Sequence, residues 1–131
     1  MSRRILVVDD ESHILHVLSL KLRNSGFIVD TAVDGEDATH QVAAMQPDLI
    51  ITDLQMPYVN GLELCKHLCS DATTADIPVI ILTARGYSLG NETAGLANVR
   101  DVISKPFSPR TILERVHRVL GTSADLAERA A

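Results

Sequence analysis

The stretch Asp48-Leu49-Ile50-Ile51-Thr52-Asp53 is an aliphatic segment that begins and ends with an acid. Two similar segments lie to either side of it along the chain, Ile5 to Val8 and Pro78 to Thr83. Short continuous aliphatic runs, without in-and-out alternation, are typical of strands that are covered on both faces. Phe27 to Ala32 and Asp101 to Ser104 are weaker candidates. The sequence therefore predicts five strands.

Segments of helical length separate these strands. Each has apolar residues at helical spacing and a Gly or Pro near an end. The predicted helices are Ser12 to Asn24, Gly35 to Met45, Gly61 to Ser70, Ser88 to Ala97 and Ser108 to Leu120. The fourth contains Gly90 and Gly95, and each interior Gly costs about 1 kcal/mol relative to Ala. We expect that helix to be short, frayed or mobile.

Strands that alternate with helices indicate right-handed crossovers. The predicted fold class is therefore α/β, a five-stranded parallel sheet that is doubly wound, with helices on both faces. In such folds the functional site lies at the carboxyl ends of the strands.

The composition fits one globular domain. The chain has 131 residues, 46% of them hydrophobic, and a net charge of −5 from 12 basic and 17 acidic residues. A chain this acidic, with two Tyr, two Phe and no Trp, argues against direct nucleic-acid binding.

No stretch of the sequence resembles a membrane span or a secretory leader. The longest apolar runs are four residues, Ile5 to Val8 and Val79 to Leu82, and acids follow the first run at once. We expect a cytoplasmic protein without membrane insertion, in which Cys65 and Cys69 are reduced.

Polar residues stand where four of the strands end. Asp9 and Asp10 follow the first, Asp53 ends the third, Thr83 ends the fourth and Lys105 follows the fifth. Two carboxylates about 4 Å apart repel by roughly 4 kcal/mol at an effective dielectric constant near 20. Three of them favour a bound cation, and oxygen ligands open to water favour Mg²⁺. One carboxylate could then attack phosphorus while Thr83 and Lys105 bind phosphoryl oxygens.

Each acid taken alone has a structural interpretation, since Asp10 or Ser12 could cap the first helix. The combination of motifs is more specific. It consists of Asp9-Asp10-Glu11, Asp53-Leu54-Gln55-Met56-Pro57 with Asn60-Gly61, Thr83-Ala84, and Lys105-Pro106-Phe107. This pattern resembles the receiver domain of two-component response regulators, over about residues 3 to 120 of the chain.

The resemblance implies a role for each matching residue. Asp53 would accept a phosphoryl group from a phosphohistidine. Asp10, Asp53 and the backbone carbonyl of Gln55 would ligate Mg²⁺, and Asp9 would assist through a metal-bound water. Thr83 and Lys105 would bind phosphoryl oxygens. The peptide bond between Lys105 and Pro106 would be cis.

Several further expectations concern tuning and switching. Gln55, Ala84 and Arg85 occupy positions that tune phosphoryl lifetime in this family. Family members often have an aromatic residue where this chain has Val102, a stiff β-branched residue without a ring. We therefore expect signalling to depend on backbone ordering of residues 84 to 97.

The resemblance also implies partners. A sensor histidine kinase or a histidine phosphotransfer protein would donate the phosphoryl group. A downstream protein, or a second copy of the chain, would bind the face formed by the fourth helix, fifth strand and fifth helix. The receiver domain is expected to span residues 1 to 121, with 122 to 131 extending the last helix or forming a disordered tail.

Three other interpretations account for parts of the sequence. A degenerate receiver would bind partners without phosphorylation, which Val102 leaves open. A phosphatase or phosphotransferase would need a second acid where the chain has Gln55. A flavodoxin-like cofactor binder would need a phosphate-binding loop after the first strand.

The remaining cysteines and histidines give weak signals. Cys65, His67 and Cys69 lack the further ligands of a zinc site, so both thiols are expected in the core. His13 and His16 are expected to be ordinary surface residues, and His40 and His117 have no evident partner in the sequence.

Overall fold

A computed structural model describes residues 3–55, 60–84 and 96–121. Strands and helices alternate through most of this range. The strands are β1 (Arg4–Val8), β2 (Ile28–Ala32), β3 (Leu49–Asp53), β4 (Val79–Thr83) and β5 (Val99–Ser104). The helices are α1 (Ser12–Asn24), α2 (Gly35–Ala44), α3 (Gly61–Cys69) and α4 (Pro109–Leu120).

The five strands form one parallel sheet in the order β2-β1-β3-β4-β5. Alternate residues of each central strand point to opposite faces, which produces two hydrophobic cores. One core packs Leu6, Ile50 and Ile81 against α2 and α3. The other packs Val7 and Ile51, among others, against α1 and α4. The predicted doubly wound α/β fold is confirmed.

The predicted element bounds agree closely with the structure, with one instructive difference. The last strand begins at Val99, two residues before the predicted Asp101. Val79 pairs with Val99 but Ile80 pairs with Asp101, so Arg100 is an extra residue in an irregular register. Charged residues and a bulge on an edge strand conceal the apolar pattern that sequence reasoning uses.

Helix caps explain where several helices start. The side chains of Asp34, Asn60 and Ser108 each accept a hydrogen bond from the backbone N–H three residues later. The N-cap of α1 is Glu11, which makes no side-chain cap hydrogen bond. Neither Asp10 nor Ser12 is therefore the N-cap of this helix.

The described part of the chain contains no helix that is both long and apolar enough to cross a membrane. Most of the predicted fourth helix, Ser88 to Ala97, and all of the segment 122–131 lie outside the described residues.

Both cysteines are free thiols, but they differ in burial. Cys65 lies in the core beside Leu64 and Leu68, and burial raises the pKa of its thiol to about 12. Cys69 is only partly buried, so the expectation of a core position holds fully for Cys65 alone.

Candidate functional site

The sheet brings the predicted polar residues to one edge. Asp53 and Thr83 are the last residues of the adjacent strands β3 and β4, while Asp9 and Lys105 directly follow β1 and β5. Backbone hydrogen bonds continue past the strand ends, since Asp9 N–H donates to Ala32 and Lys105 N–H donates to Thr83. The ends of the strands are thus held in register, which fixes the side chains that leave them.

Three carboxylates meet at this edge. One oxygen from each of Asp9, Asp10 and Asp53 lies within 4.8 Å of the others. Asp9 and Asp53 are 0% and 5% exposed, whereas Asp10 is exposed. We call these three residues the acidic cluster. It has two buried members and one member at the solvent boundary.

Among the described residues, Lys105 is the cation that contacts the acidic cluster. Its Nζ lies 3.0 Å from Asp53 Oδ1 and 3.9 Å from Asp9 Oδ2. The other oxygen of Asp9, Oδ1, accepts a hydrogen bond of 2.9 Å from the Glu11 N–H. Buried Asp9 Oδ2 has no hydrogen-bond donor within the described structure. A buried carboxylate oxygen without a donor fits a site for a cation or for a water bound to one.

Burial and mutual repulsion perturb the protonation of these groups. Burial, followed by the charge of Asp53, raises the pKa of Asp9 to about 6, although the Glu11 N–H opposes the shift. Burial also raises the pKa of Asp53, against the lowering effect of its hydrogen bond with Lys105. Burial lowers the pKa of Lys105, but the hydrogen bond with Asp53 and the negative charges of Asp53, Asp9 and Glu11 together outweigh it, and the net shift is upward. The cluster thus has more negative charge than its surroundings balance.

The remaining predicted residues surround this cluster. Thr83 is buried at the end of β4, and its carbonyl accepts the Lys105 N–H at 2.8 Å. The Lys105–Pro106 peptide bond is cis, which is the isomer that the family resemblance implied. Gln55 and Ala84 are exposed, while Arg85 lies outside the described residues.

Gly61 is a site residue whose role sequence reasoning did not predict. A Cβ atom at this position would lie 2.6 Å from the carbonyl oxygen of Asp53. The Gly61 N–H also donates to the Leu54 carbonyl at 2.9 Å. The start of α3 therefore packs directly on the backbone that carries Asp53. The Asn60-Gly61 pair was the available signal, but a pair of this kind also marks an ordinary helix start.

Val102 occupies a strand position and is partly buried. It opposes Ile81 in the sheet and packs against the core that α2 and α3 cover. Its contacts are those of an ordinary β-branched strand residue. The predicted ordering of residues 84–97 falls mainly on positions outside the described structure and stays a prediction.

The histidines occupy different environments. His13, His16, His40 and His67 are exposed, while His117 is buried with the centre of its ring 5.7 Å from that of Phe27. Among the described residues, the acidic cluster is the group of three potential ligands already close enough to share an ion. Cys65, His67 and Cys69 form no such group.

The fold and the strand-end residues together define a receiver-like α/β protein, and comparison with known proteins confirms the family. Residues 5–117 match the model of the response regulator receiver domain. The chain belongs to this family, whose members are signalling modules of two-component systems rather than metabolic enzymes.

Relatives and solved structures agree with this assignment. The chain is 37% identical over 127 residues to the phosphate regulon transcriptional regulatory protein PhoB of Escherichia coli, covering 97% of this chain and 56% of PhoB. It is similar to the crystal structure of a putative response regulator from Chloroflexus aurantiacus, with a TM-score of 0.84, 32% identity and coverage of 92% and 99%. The chemotaxis response regulator CheY4 of Vibrio cholerae gives a TM-score of 0.84 at 29% identity, with coverage of 91% and 99%. The chain spans about half the length of the curated relatives it matches.

Proposed function

We propose that this chain accepts a phosphoryl group on Asp53 from a phosphohistidine, in a Mg²⁺-dependent reaction, and that the modified domain changes its binding to a partner. The observation that carries the proposal is the acidic cluster, in which buried Asp53 has Lys105 as its cationic neighbour at 3.0 Å. Membership of the receiver family supports it.

Asp53 is the proposed nucleophile. One of its carboxylate oxygens attacks phosphorus, a P–O bond forms, and the P–N bond to the donor imidazole breaks. The bonding electrons leave with the imidazole, which takes up a proton and returns to its neutral form. This step requires ionised Asp53, and Lys105 favours that form by opposing the effect of burial on its pKa.

The acidic cluster has the ligands that Mg²⁺ prefers. Asp10, Asp53 and the backbone carbonyl of Gln55 would hold the ion, and Asp9 would contact a water bound to it. Two observations fit this arrangement: Asp9 Oδ2 has no hydrogen-bond donor in the described structure, and one oxygen from each of the three carboxylates lies within 4.8 Å of the others. When bound, Mg²⁺ reduces the repulsion between the carboxylates and the incoming phosphoryl oxygens.

Lys105 and Thr83 are the proposed phosphoryl-binding residues. Lys105 contacts the Asp53 carboxylate, and transfer would place a phosphoryl oxygen within its reach. Thr83 lies at the end of the neighbouring strand and would donate its hydroxyl proton to another phosphoryl oxygen. Gln55, Ala84 and Arg85 would flank the path of the water that later hydrolyses the acyl phosphate slowly.

We further propose that the phosphoryl donor is a sensor histidine kinase or a histidine phosphotransfer protein in the cytoplasm. The output would be binding of a downstream protein or a second copy of the chain through β5, α4 and the helix that the sequence predicts at Ser88 to Ala97. We expect the receiver domain to occupy residues 1–121.

Mass spectrometry after incubation with acetyl phosphate and Mg²⁺ tests the central step. We expect the mass of one phosphoryl group to be added, and this addition to be absent without Mg²⁺ and in Asp53→Asn. Asp48→Asn is a matched control, because Asp48 precedes β3 and its carboxylate accepts the Arg4 N–H at the opposite end of the strand. No addition to the wild type would favour a degenerate receiver that binds partners without phosphorylation.

A further inference from the structure

A polar cleft lies between α2 and α3 and shares no residue with the acidic cluster. Its volume is about 320 Å³, and it is lined by Glu36, Thr39, His40, Glu63 and His67. The two glutamates and two histidines are all at least partly exposed. We call this feature the α2–α3 cleft.

The same pair of ligand types occurs on each helix at the same spacing. Glu36 and His40 are four residues apart on α2, and Glu63 and His67 are four residues apart on α3. Side chains at this spacing lie on one face of a helix. Each helix therefore presents one carboxylate and one imidazole to the cleft.

The two pairs also have the same order along helices that run in the same direction. The helices α2 and α3 leave parallel strands of one sheet, so they run in the same direction. Both glutamates lie in the first turn of their helices, with each histidine one turn further on. On each helix the carboxylate thus precedes the imidazole by about one turn, and all four side chains line the same cleft.

Two imidazoles and two carboxylates are a ligand set for Zn²⁺, and their charge neutralises the ion. Mg²⁺ prefers oxygen ligands and would select the acidic cluster instead. We propose that Glu36, His40, Glu63 and His67 form a Zn²⁺ site that links α2 to α3. This inference does not depend on phosphorylation of Asp53.

Binding requires the four side chains to converge. Within the described residues only the acidic cluster already has three ligand atoms within 4.8 Å of one another. The cleft residues lie at the surface, so they can rotate towards an ion, with an entropic cost of at most about 2 kcal/mol for each ordered side chain. The resulting site forms only when the metal is present.

A purely electrostatic interpretation explains part of this arrangement. Glu36 and Glu63 favour the N-terminal turns of their helices, and His67 lies in the last turn of α3. That interpretation gives no reason for His40 to line the same cleft. Zinc binding accounts for all four residues, and the two explanations predict different results for substitution of His40.

The test is Zn²⁺ titration of the untagged full chain by calorimetry, in excess Mg²⁺ so that the acidic cluster is occupied. We expect one Zn²⁺ per chain, and an affinity at least about tenfold weaker in both His40→Ala and His67→Ala. His13→Ala and His16→Ala are matched controls, because they remove surface histidines three residues apart on α1. The controls should bind Zn²⁺ like the wild type.

A spectroscopic measurement makes the site assignment independent of affinity. Co²⁺ in a tetrahedral site with two imidazoles should give visible absorption that disappears in His40→Ala. Wild-type Zn²⁺ affinity in both cleft variants would overturn the proposal. So would loss of Zn²⁺ binding in Asp9→Asn together with its retention in the cleft variants, since the acidic cluster would then be the zinc ligand.

Discussion

Carboxylates at the two outer strands and carboxylates at the carboxyl edge of the sheet are balanced in different ways. Arg4 Nη1 lies 2.6 Å from Asp30, and Arg115 Nη1 lies 2.7 Å from Asp101, so each of these acids has its own arginine. We call them the edge pairs. In the acidic cluster, one lysine, Lys105, contacts two carboxylates, those of Asp53 and Asp9, and Asp9 Oδ2 has no hydrogen-bond donor in the described structure.

The edge pairs are charges balanced by other side chains of the protein, whereas the acidic cluster has the charge imbalance of a ligand-binding site. The edge pairs are complete within the chain, and such partly exposed pairs typically contribute about 0–1 kcal/mol. The acidic cluster is incomplete, because its two buried acids have raised pKa values. Buried acids without full charge compensation lower the stability of the folded chain when no ligand is bound. Substitutions that remove a charge or crowd a packed contact at the acidic cluster, compared with substitutions at the edge pairs, test this distinction.

The largest effect is expected from Lys105→Met, which retains the aliphatic stem and removes the cation. Asp53 and the phosphoryl group would lose their charged neighbour, and the rate of phosphorylation by acetyl phosphate should fall on the order of 10²-fold. Mass spectrometry of samples quenched at successive times, at fixed Mg²⁺, measures the rate. A rate within about threefold of the wild type would show that Lys105 does not act on the phosphoryl group.

The second expected effect tests the packing of α3 on the site. Gly61→Ala forces a Cβ atom against the Asp53 carbonyl, 2.6 Å away in the present backbone. We expect the free energy of unfolding to fall by about 2–3 kcal/mol, as in other overpacked sites, and phosphorylation of Asp53 to slow. Urea unfolding and the mass assay measure the two effects.

Gly26→Ala is the matched control for this substitution. Gly26 has a φ of +96°, and a Cβ atom added to it would meet no atom within 4 Å, so its substitution costs backbone strain alone. The control should lose about 1 kcal/mol of stability and phosphorylate at the wild-type rate. Equal slowing of phosphorylation in both variants would mean that reduced stability, and not the position of Asp53, is the cause.

The third prediction concerns the pH dependence of stability without Mg²⁺. The pKa of Asp9 is about 6 in the folded chain against 3.8 ordinarily, so the folded state binds its proton more tightly. This contribution stabilises the fold below about pH 4 and is lost as the pH rises to about 6. The shift, which already includes the attraction to Lys105, corresponds to about 3 kcal/mol. A buried Asn amide would retain part of this desolvation cost.

Asp9→Asn should therefore be more stable than the wild type at pH 7.5 by about 1–2 kcal/mol, with little difference at pH 4. Thermal unfolding in a chelator across this range measures the difference. Adding Mg²⁺ should stabilise the wild type more than the variant, because binding stabilises the folded state. Lower stability of Asp9→Asn at pH 7.5 would contradict the charge imbalance of the acidic cluster.

The sequence predicts the fold well because its signals are local. Continuous aliphatic runs such as Leu49 to Asp53 mark buried strands, and a Gly or Pro ends several of the helices. The strand-end acids could be predicted as neighbours because the carboxyl ends of parallel strands meet at one edge. Arg100 and Asp101 weakened the same signal on the edge strand β5, where the register is irregular.

Features that depend on packing between distant elements were beyond sequence reasoning. The contact between Gly61 and the Asp53 carbonyl arises from how α3 packs on β3. The presence of His40 and His67 in one cleft depends on how the helices α2 and α3 lie side by side. The difference in burial between Asp9 and Asp10 could not be predicted either, since the two are adjacent acids in the sequence.

The smallest effect is expected at an edge pair. Arg115→Met removes the cation that donates to both oxygens of Asp101, at 2.9 and 2.7 Å, and joins α4 to β5. Because both side chains are partly exposed, we expect a loss of about 0.5–1 kcal/mol in urea unfolding, with an unchanged phosphorylation rate. Asp101→Asn and the double variant complete a cycle that isolates the pair. A loss of phosphorylation comparable to that of Lys105→Met would mean that the two regions are coupled, and the distinction between complete and incomplete charge clusters would fail.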